Sequence, residues 1–357
     1  TIPDYHFTYE KEDILNNPEI DVVLELINDA DEAYEITVAA LKAGKHVVTA
    51  NKKMLAEHLE ELVALQQKHN VSLLYEASSC GAIPIIRNLE EYYDNELLFS
   101  VCGIFNGTSN YILTKMFDEN LSYDTALKQA QDLGFAETDP TSDVGGFDPK
   151  YKLCIIAAHA YGIFVNPKDV FNYGIQNLSV NDIKFAKEKG YKIRLVPNAV
   201  KLNEKQVTLF VMPQFVDKHH YLYNVDYENN GVIVEAAFAD KQFFFGKGAG
   251  GHPTGSAVLS DISALTYNYR YEYKKFLQQD KLQYTTDIDI EVYVRYSDEA
   301  DIKPLQLTDI TEKYFGKDYN YLIGKVSLNN LIKAKEVAAN KNVYIVDTGK
   351  ELKLQKK

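Results

Sequence analysis

Two hydrophobic patterns alternate through the first 80 residues of the chain. The short apolar runs DVVLELI, HVVTA and VSLLYEA are typical of buried parallel strands. The segments between them, including MLAEHLEELVALQQKHN, place their apolar residues on one face of a helix. Strands that alternate with helices predict a parallel sheet covered by helices, and therefore an α/β fold for this part of the chain.

The middle of the chain has a different pattern. LFSVCGIF, YKIRLVPNAV, QVTLFVMPQFV and GVIVEAAFA each predict a strand, and polar turns such as LNEK join several of them. Short polar turns between strands indicate a largely antiparallel sheet, so residues 86–249 are predicted to form a second, α+β domain. The segment GSAVLSDISALTYNYRYEY has a helical pattern and is predicted to return to the first domain, which then comprises residues 1–85 and 250–278.

The pattern changes again near residue 282. The segments DIDIEVYVRYS, LQLTDITEKYF, YNYLIGKVSL, NNLIKAKEVAAN and NVYIVDT predict strand, helix, strand, helix and strand in that order. Residues 282–357 are therefore predicted to form a small α+β module of their own.

Charge, hydropathy and cysteine content exclude several classes of function. A net charge of -13 without a basic stripe would repel a polyanion, which argues against nucleic acid as a partner. The longest apolar run, residues 153–165, is interrupted by His159 and falls short of the roughly 20 residues that cross a membrane. The three cysteines lie far apart among small or apolar neighbours, as expected of reduced thiols in a cytoplasmic protein.

A glycine cluster in GKGAGG matches the spacing G-x-G-x-x-G through Gly246, Gly248 and Gly251. That spacing indicates a dinucleotide site only where it follows the first strand of a βαβ unit, with an acidic residue about 20 positions later. Here it follows the second predicted domain. The match alone therefore does not predict a cofactor loop.

The most informative stretch for chemistry is GFAETDPTSDVGGFDPKYKLCIIAAHA, residues 134–160. Ordinary structural explanations exist for its acids, because Asp148 before Pro149 fits a helix N-cap and Asp139 before Pro140 fits a turn. The stretch nevertheless concentrates four carboxylates just before a strongly apolar helix: Glu137, Asp139, Asp143 and Asp148.

Lys152 lies four residues after Asp148, within reach of that carboxylate on a helix. Such a pair is most often a solvated ion pair, but the residues that follow are apolar all round the helix and indicate burial. A lysine at the mouth of a buried helix, beside several acids, is a candidate proton donor or an anchor for a zwitterionic ligand. The residues alone leave the catalytic, binding and structural alternatives open.

Two other segments are placed to contact a ligand. TANKK ends a predicted parallel strand, and ligands collect at the carboxyl ends of such strands, so Lys52 could meet a bound anion or carbonyl. FNGTSNYIL offers donors at a helix N-terminus, where a carboxylate could dock. An exposed lysine and an ordinary capping turn are the structural alternatives.

Five segments in the same order resemble the homoserine dehydrogenase family over residues 20–272: VVTANK, YEASSCGAIPII, NGTSNYIL, GFAETDPTSDVGGFDPKYK and GKGAGGHPTGSAVLSD. The resemblance implies NAD- or NADP-dependent interconversion of L-aspartate 4-semialdehyde and L-homoserine, on the route to threonine and methionine. It implies an incomplete Rossmann-like sheet, with the first strand and glycine loop upstream of Thr1, and a homodimer or higher homo-oligomer joined through the substrate domain. The C-terminal module resembles an ACT regulatory domain.

The motifs also imply roles for individual residues. Lys152 resembles the family's general acid/base, and Asp148 resembles the carboxylate that orients it. Glu137, supported by Asp143, resembles the acid that binds the substrate amino group, and Lys52 the lysine beside the reacting carbonyl and the nicotinamide. The resemblance further implies substrate contacts at Asn106, Gly107 and Thr108, cofactor contacts at Asn28, Ala50, Lys52 and Gly250, and a monovalent cation, Na⁺ or K⁺, held by main-chain carbonyls at Glu76, Ser79, Gly81 and Ile83.

Two alternative functions fit part of the pattern. A catalytically silent binding or regulatory paralogue would explain the missing glycine turn, although it would not need to keep the lysines and carboxylates. A dehydrogenase of another small amino aldehyde would keep the lysines without requiring the whole carboxylate signature. The sequence does not distinguish NAD from NADP, because the residue that contacts the ribose would lie in the missing strand region.

Overall fold

The structure is a computed structural model that describes residues 7–94, 97–278, 281–317, 319–350 and 352–354. Its strands form two sheets, one parallel with three strands and one mixed with twelve. This arrangement confirms the α/β class that the hydrophobic pattern predicts. Among the described helices, none is long and apolar enough to cross a membrane.

The small sheet has the strand order β1-β2-β3, and all its pairings are parallel. Its two crossover helices follow the predicted apolar pattern, and Asn70, in the left-handed conformation, ends the second of them. The strands and the helices of this part are β1 (Val22–Glu25), β2 (His46–Thr49), β3 (Leu73–Leu74), α1 (Lys11–Leu15), α2 (Ala30–Lys42) and α3 (Lys52–His69).

The large sheet contains all the later strands: β4 (Leu98–Ile104), β5 (Phe171–Asn172), β6 (Tyr191–Lys201), β7 (Gln206–Asp217), β8 (Asn229–Ala236), β9 (Asp240–Lys247), β10 (Gln283–Tyr284), β11 (Ile288–Tyr296), β12 (Thr308–Phe315), β13 (Asn320–Ser327), β14 (Tyr344–Asp347) and β15 (Lys353–Leu354). Its main order is β12-β13-β11-β14-β7-β6-β4-β8-β9. β5 and β10 pair with β7, and β15 pairs with β11. Most pairings are antiparallel, but β5, β10 and β14 each run parallel to β7.

The later helices are α4 (Ile85–Arg87), α5 (Gly107–Glu119), α6 (Tyr123–Asp132), α7 (Thr141–Val144), α8 (Phe147–Tyr161), α9 (Val180–Lys189), α10 (Gly251–Leu265), α11 (Glu299–Ile302), α12 (Leu328–Lys333) and α13 (Lys335–Ala339). Of these, α8 is the central one. Residues 152–161 are all buried, as expected of a helix that is apolar all round. It packs against α3 on one side and against β6 and β7 of the large sheet on another, so it joins the two sheets.

The C-terminal strands extend the large sheet and do not form a separate one. β14 lies between β11 and β7, where Asp347 pairs with Gln214. The buried apolar residues of these strands belong to the same hydrophobic core as those of α8. The boundaries 1–85 with 250–278, 86–249 and 282–357, and the ACT-like character of the last unit, remain predictions.

Two secondary-structure predictions are wrong. LQLTDITEKYF, predicted as a helix, forms β12, because it pairs with β13 and stacks the Tyr314 ring on Tyr321 at a centroid distance of 5.2 Å. α10 ends at Leu265, before the tyrosines that were predicted to continue it. Beyond it Asn268 has a left-handed φ of 61°, and the chain then buries Tyr271 and Tyr273 in the core.

Candidate active site

Asp148 lies at the centre of a cluster of charged side chains in the first turn of α8. Its carboxylate is buried, and Oδ2 accepts hydrogen bonds from Lys152 Nζ at 2.8 Å and from Asn106 Nδ2 at 2.9 Å. Its other oxygen, Oδ1, lies 3.1 Å from Lys52 Nζ. One carboxylate therefore binds two ammonium groups, that of Lys152 one turn later in α8 and that of Lys52 at the start of α3.

The position of Asp148 in α8 differs from the capping interpretation. α8 begins at Phe147, and Gly146 occupies the N-cap position with a φ of 80°, which favours glycine. Asp148 is thus inside the first turn, and its side chain faces Lys152 one turn later. The turn interpretation of Asp139 is confirmed, since its Oδ1 accepts hydrogen bonds from both the N–H and the hydroxyl of Thr141.

Lys152 is held by two acceptors at fixed positions. Besides Asp148, its Nζ donates to the backbone carbonyl of Phe105 at 2.7 Å, and its side chain is 9% exposed. Phe105 directly precedes Asn106, the residue that begins α5 by accepting the Ser109 N–H at 2.8 Å. The carbonyl of Phe105 was not predicted as part of the site, because a backbone acceptor leaves no signal in the side-chain sequence.

Lys52 is the first residue of α3, directly after the N-cap residue Asn51. Its side chain is 42% exposed, in contrast to that of Lys152, so the cluster is open to solvent on this side. The pKa of Lys52 is raised chiefly by Asp148, with smaller contributions from Asp143 and Glu137. The ammonium group is therefore retained well above neutral pH.

The carboxylates of the cluster have pKa values shifted in opposite directions. Burial alone would raise the pKa of Asp148, but the charges of Lys152 and Lys52 outweigh it and hold that pKa well below its usual range. The pKa of Asp143 is raised by burial and by the neighbouring Asp148, although Asn106 Nδ2 donates to its Oδ1 at 2.7 Å. Asp148 is thus a permanent anion, as a group that orients a lysine should be.

The other predicted substrate residues lie in the loop before α7 and in the first turn of α5. Glu137 is exposed in the loop between α6 and α7, and its charge contributes to the raised pKa of Lys52. The Thr108 hydroxyl donates to the Phe135 carbonyl at 2.5 Å. Gly107 begins α5 and packs against the backbone of Glu228, so that a Cβ at this position would lie 2.6 Å from the Glu228 carbonyl oxygen.

The predicted cofactor residues lie in three loops. Asn28 is exposed after β1, and Ala50 is half-buried after β2, so both lie at the carboxyl edge of the parallel sheet. Gly250, with a φ of 110°, is the N-cap residue of α10, and no side chain caps that helix. Their contacts with a cofactor remain predictions.

The predicted cation residues lie in the turn that follows β3. The Glu76 carboxylate accepts the N–H groups of Ile86 and Arg87 at 2.9 Å each, so it holds the start of α4. Gly81 has a φ of 58°, and Ser79 and Ile83 are buried beside it. Within the described residues no group of three or more histidine, cysteine or acidic side chains could hold a metal, which leaves a site built from main-chain carbonyls a prediction.

Cys80, in the same turn, borders the Lys152 cluster. It is fully buried, and its pKa is raised by burial to about 12, although the charge of Lys152 opposes that shift. A thiol in this state is not ionised at neutral pH and is a poor nucleophile. The cysteine therefore packs beside the cluster, as the sequence predicts, and does not supply thiol chemistry.

The fold and this cluster define a class of α/β protein in which the helix that follows β2 and a buried helix between the two sheets each contribute a lysine to one buried carboxylate. Residues 84–263 match the family model for homoserine dehydrogenase, and residues 2–76 match that for its NAD binding domain. The chain belongs to the homoserine dehydrogenase family, as its motifs predict.

Known relatives show the same similarity. The homoserine dehydrogenase of Lactococcus lactis is 40% identical over 260 residues, and the match covers 72% of this chain but only 60% of that protein. The crystal structure of a homoserine dehydrogenase from Thiobacillus denitrificans has a TM-score of 0.82 and 30% identity, covering 96% of this chain and 85% of that one. A hyperthermophilic archaeal homoserine dehydrogenase in complex with NADPH has a TM-score of 0.65 and 26% identity, covering 74% and 77%.

Proposed function

We propose that this chain catalyses the NAD- or NADP-dependent interconversion of L-aspartate 4-semialdehyde and L-homoserine. The observation that carries the proposal is the position of Asp148 between Lys152 Nζ at 2.8 Å and Lys52 Nζ at 3.1 Å. Membership of the homoserine dehydrogenase family, with a match to its NAD binding domain, supports both the substrate and the cofactor. The archaeal relative in complex with NADPH favours a nicotinamide dinucleotide.

The residues of this chain fit such a cofactor. Asn28, Ala50 and Lys52 lie at the carboxyl edge of the parallel sheet, the place where α/β folds bind dinucleotides. Gly250 begins α10, a helix of 15 residues without a side-chain cap, whose N-terminus suits a phosphate group. When bound, the nicotinamide supplies the hydride for reduction or accepts it for oxidation.

The lysines and the carboxylate manage the charge and the proton of this reaction. Hydride addition to the aldehyde carbon converts its oxygen to an alkoxide, which the Lys152 ammonium protonates to give the alcohol of homoserine. In the opposite direction the neutral Lys152 amine takes the proton of that alcohol. Asp148 stays ionised and orients Lys152, while Lys52 stabilises the developing negative charge on the oxygen.

The remaining residues bind the two ends of the amino acid. Glu137 and Asp143, whose charges contribute to the raised pKa of Lys52, bind the substrate ammonium group. The first residues of α5, Gly107 and Thr108, together with Asn106, present a helix N-terminus to the substrate carboxylate. A zwitterion is thus held with its aldehyde toward the lysines.

The activity is tested by measuring reduction of NAD and of NADP with L-homoserine. We expect L-homoserine to be oxidised, and its analogue without the amino group, 4-hydroxybutyrate, to lose on the order of 100-fold or more in kcat/KM, because Glu137 and Asp143 would be left without a partner. No turnover with either cofactor would favour the silent paralogue. Better turnover of another amino alcohol would favour the alternative dehydrogenase.

We also propose that the chain forms a homodimer or a higher homo-oligomer through the large sheet. Phe99 of β4 is exposed at 48% and lies, with Asn198 of β6 and Gln214 of β7, along a cavity on the sheet. Light scattering is expected to give at least twice the chain mass of 40.5 kDa. Phe99→Lys is expected to lower the measured mass. A wild-type protein with the mass of a single chain would contradict the proposal.

The proposal has three further parts. The protein acts in the cytoplasm, a Na⁺ or K⁺ ion binds the carbonyls of the turn after β3, and residues 282–357 have a regulatory role. The ion would be held by main-chain carbonyls of the turn in which Gly81 is left-handed and Ser79 and Ile83 are buried. The reduced state of the three cysteines supports the cytoplasm.

A further inference from the structure

The neighbouring strands β1 and β2 separate directly after their last pair, Glu25 and Thr49. Beyond this pair one chain turns toward α2 and the other toward α3, whose first residue is Lys52. Two loops therefore diverge from one point at the carboxyl edge of the parallel sheet. The position of the Lys52 ammonium depends on how the second loop is held.

The Glu25 carboxylate binds both loops at that point. Its Oε1 accepts the N–H of Ile27 at 2.8 Å, and its Oε2 accepts the hydroxyl of Thr49 at 2.5 Å. The Thr49 oxygen in turn accepts the N–H of Asn51 at 3.0 Å. Because the Thr49 hydroxyl has one hydrogen, the Asn51 contact directs that hydrogen toward Glu25.

Asn51 connects the same two loops through its side chain. Its Nδ2 donates to the carbonyl of Ile27 at 3.1 Å and to that of Asp29 at 3.4 Å. Its Oδ1 accepts the Met54 N–H at 3.0 Å and so begins α3. Glu25, Thr49 and Asn51 therefore form one hydrogen-bonded unit that ends at the residue before Lys52.

Burying the Glu25 carboxylate costs free energy, which packing alone would not justify. It is 2% exposed, and burial raises its pKa. Among the described residues it has no salt bridge with a lysine or arginine, unlike Asp148. Its two oxygens, however, supply the two acceptors that the Ile27 N–H and the Thr49 hydroxyl require.

We propose that Glu25 is a positioning residue whose carboxylate fixes the first turn of α3 and thereby holds the Lys52 ammonium against Asp148. The proposal has a geometric part, which concerns the ion pair between Lys52 and Asp148, and a catalytic part. The catalytic part rests on the proposed function, because only there does the Lys52 position affect turnover.

The test is Glu25→Gln, which keeps the shape of the side chain but replaces one acceptor by an NH₂ donor. That donor must then face the Ile27 N–H or the Thr49 hydroxyl. We expect a Tm close to that of the wild type, because removal of the buried charge offsets the loss of one hydrogen-bond acceptor. We expect kcat to fall on the order of tenfold with little change in the KM for homoserine, because Lys52 is displaced.

The structural readout is the pKa of Lys52, measured by NMR after reductive ¹³C-methylation and assigned with Lys52→Met. Since Asp148 raises the pKa of Lys52, displacement by Glu25→Gln is expected to return it toward its ordinary value. Thr49→Val removes the hydroxyl and is expected to lower the pKa of Lys52 as Glu25→Gln does. Thr49→Ser keeps the hydroxyl and is expected to keep the wild-type pKa of Lys52. Asp347→Asn is the matched control, because Asp347 is another buried carboxylate, on β14 of the large sheet.

A double-mutant cycle separates the two parts of the proposal. In the Lys52→Met background, Glu25→Gln is expected to cause no further loss of kcat. A lowered Tm with an unchanged Lys52 pKa would show that Glu25 is structural and would overturn the proposal. If the protein turns over no amino alcohol, the proposed function fails, whereas the NMR titration still decides whether Glu25 holds Lys52.

Discussion

Lys152→Ala is expected to lower kcat by at least about 100-fold, because positioned proton transfer typically contributes 10²- to 10⁴-fold to a rate. The Lys152 side chain is 9% exposed and fixed by Asp148 and the Phe105 carbonyl, so its ammonium is held in one position, and a water molecule in the space left by Lys152→Ala is a far weaker acid. The affinity for the cofactor is expected to stay nearly unchanged, because the substitution removes a group that acts on the substrate oxygen. Steady-state kinetics with L-homoserine, together with a cofactor titration, measure both quantities.

Lys150→Ala is the matched control for that experiment. Lys150 lies on the same helix and is as buried as Lys152, but its Nζ donates to Asn172 Oδ1 at 2.8 Å, away from the Asp148 cluster. This variant is expected to affect stability more than kcat. Turnover close to the wild-type value in Lys152→Ala would remove Lys152 from the mechanism and would point to Lys52 as the proton donor.

Part of the site follows from local sequence alone. The spacing of four residues between Asp148 and Lys152 predicts their contact on any helix, and the apolar residues around Lys152 predict its burial. The approach of Lys52 could not be found this way, because 96 residues separate it from Asp148 along the chain. It follows from the order of the motifs, which resemble a family in which both lysines serve one substrate.

Other features depend on tertiary contacts that leave little trace in the sequence. Asn106 fits an ordinary helix cap, yet its amide also bridges Asp143 and Asp148. The attachment of the C-terminal strands to the large sheet rests on two short parallel pairings, of β10 and of β14 with β7, which no hydrophobic pattern predicts. β12 forms a strand because it pairs with β13, and its β-branched and aromatic residues suit that pairing, although the order of apolar residues predicts a helix there.

The distribution of charge explains how an acidic protein can retain two ammonium groups at one point. The net charge of -13 is spread over the chain, whereas the cluster brings Lys52 and Lys152 to a single buried carboxylate, Asp148. A buried carboxylate is tolerated when it is paired and hydrogen-bonded, and here each lysine and Asn106 contribute. Removing Asp148 is therefore expected to affect both turnover and stability.

Asp148→Asn is expected to lower kcat on the order of 10- to 100-fold, because the orientation of Lys152 is lost, and to lower the free energy of unfolding by about 3–5 kcal/mol. The stability loss arises because the Lys152 ammonium remains buried without its anion. Urea unfolding near neutral pH measures the free energy, and kinetics with L-homoserine measure kcat. Asp139→Asn, an exposed change in the same acidic segment, is expected to leave kcat unchanged.

The pH dependence of this stability difference has a definite sign. The folded-state pKa of Asp148 is lowered, so its ionisation stabilises the fold above the unfolded-state pKa of about 3.9 and loses that effect as the pH falls toward the folded-state value. The difference in the free energy of unfolding between the wild type and Asp148→Asn is therefore expected to be constant from about pH 7 to about pH 5 and to become smaller below about pH 4. A difference that becomes larger on acidification would show that the two lysines do not stabilise the ionised carboxylate of Asp148.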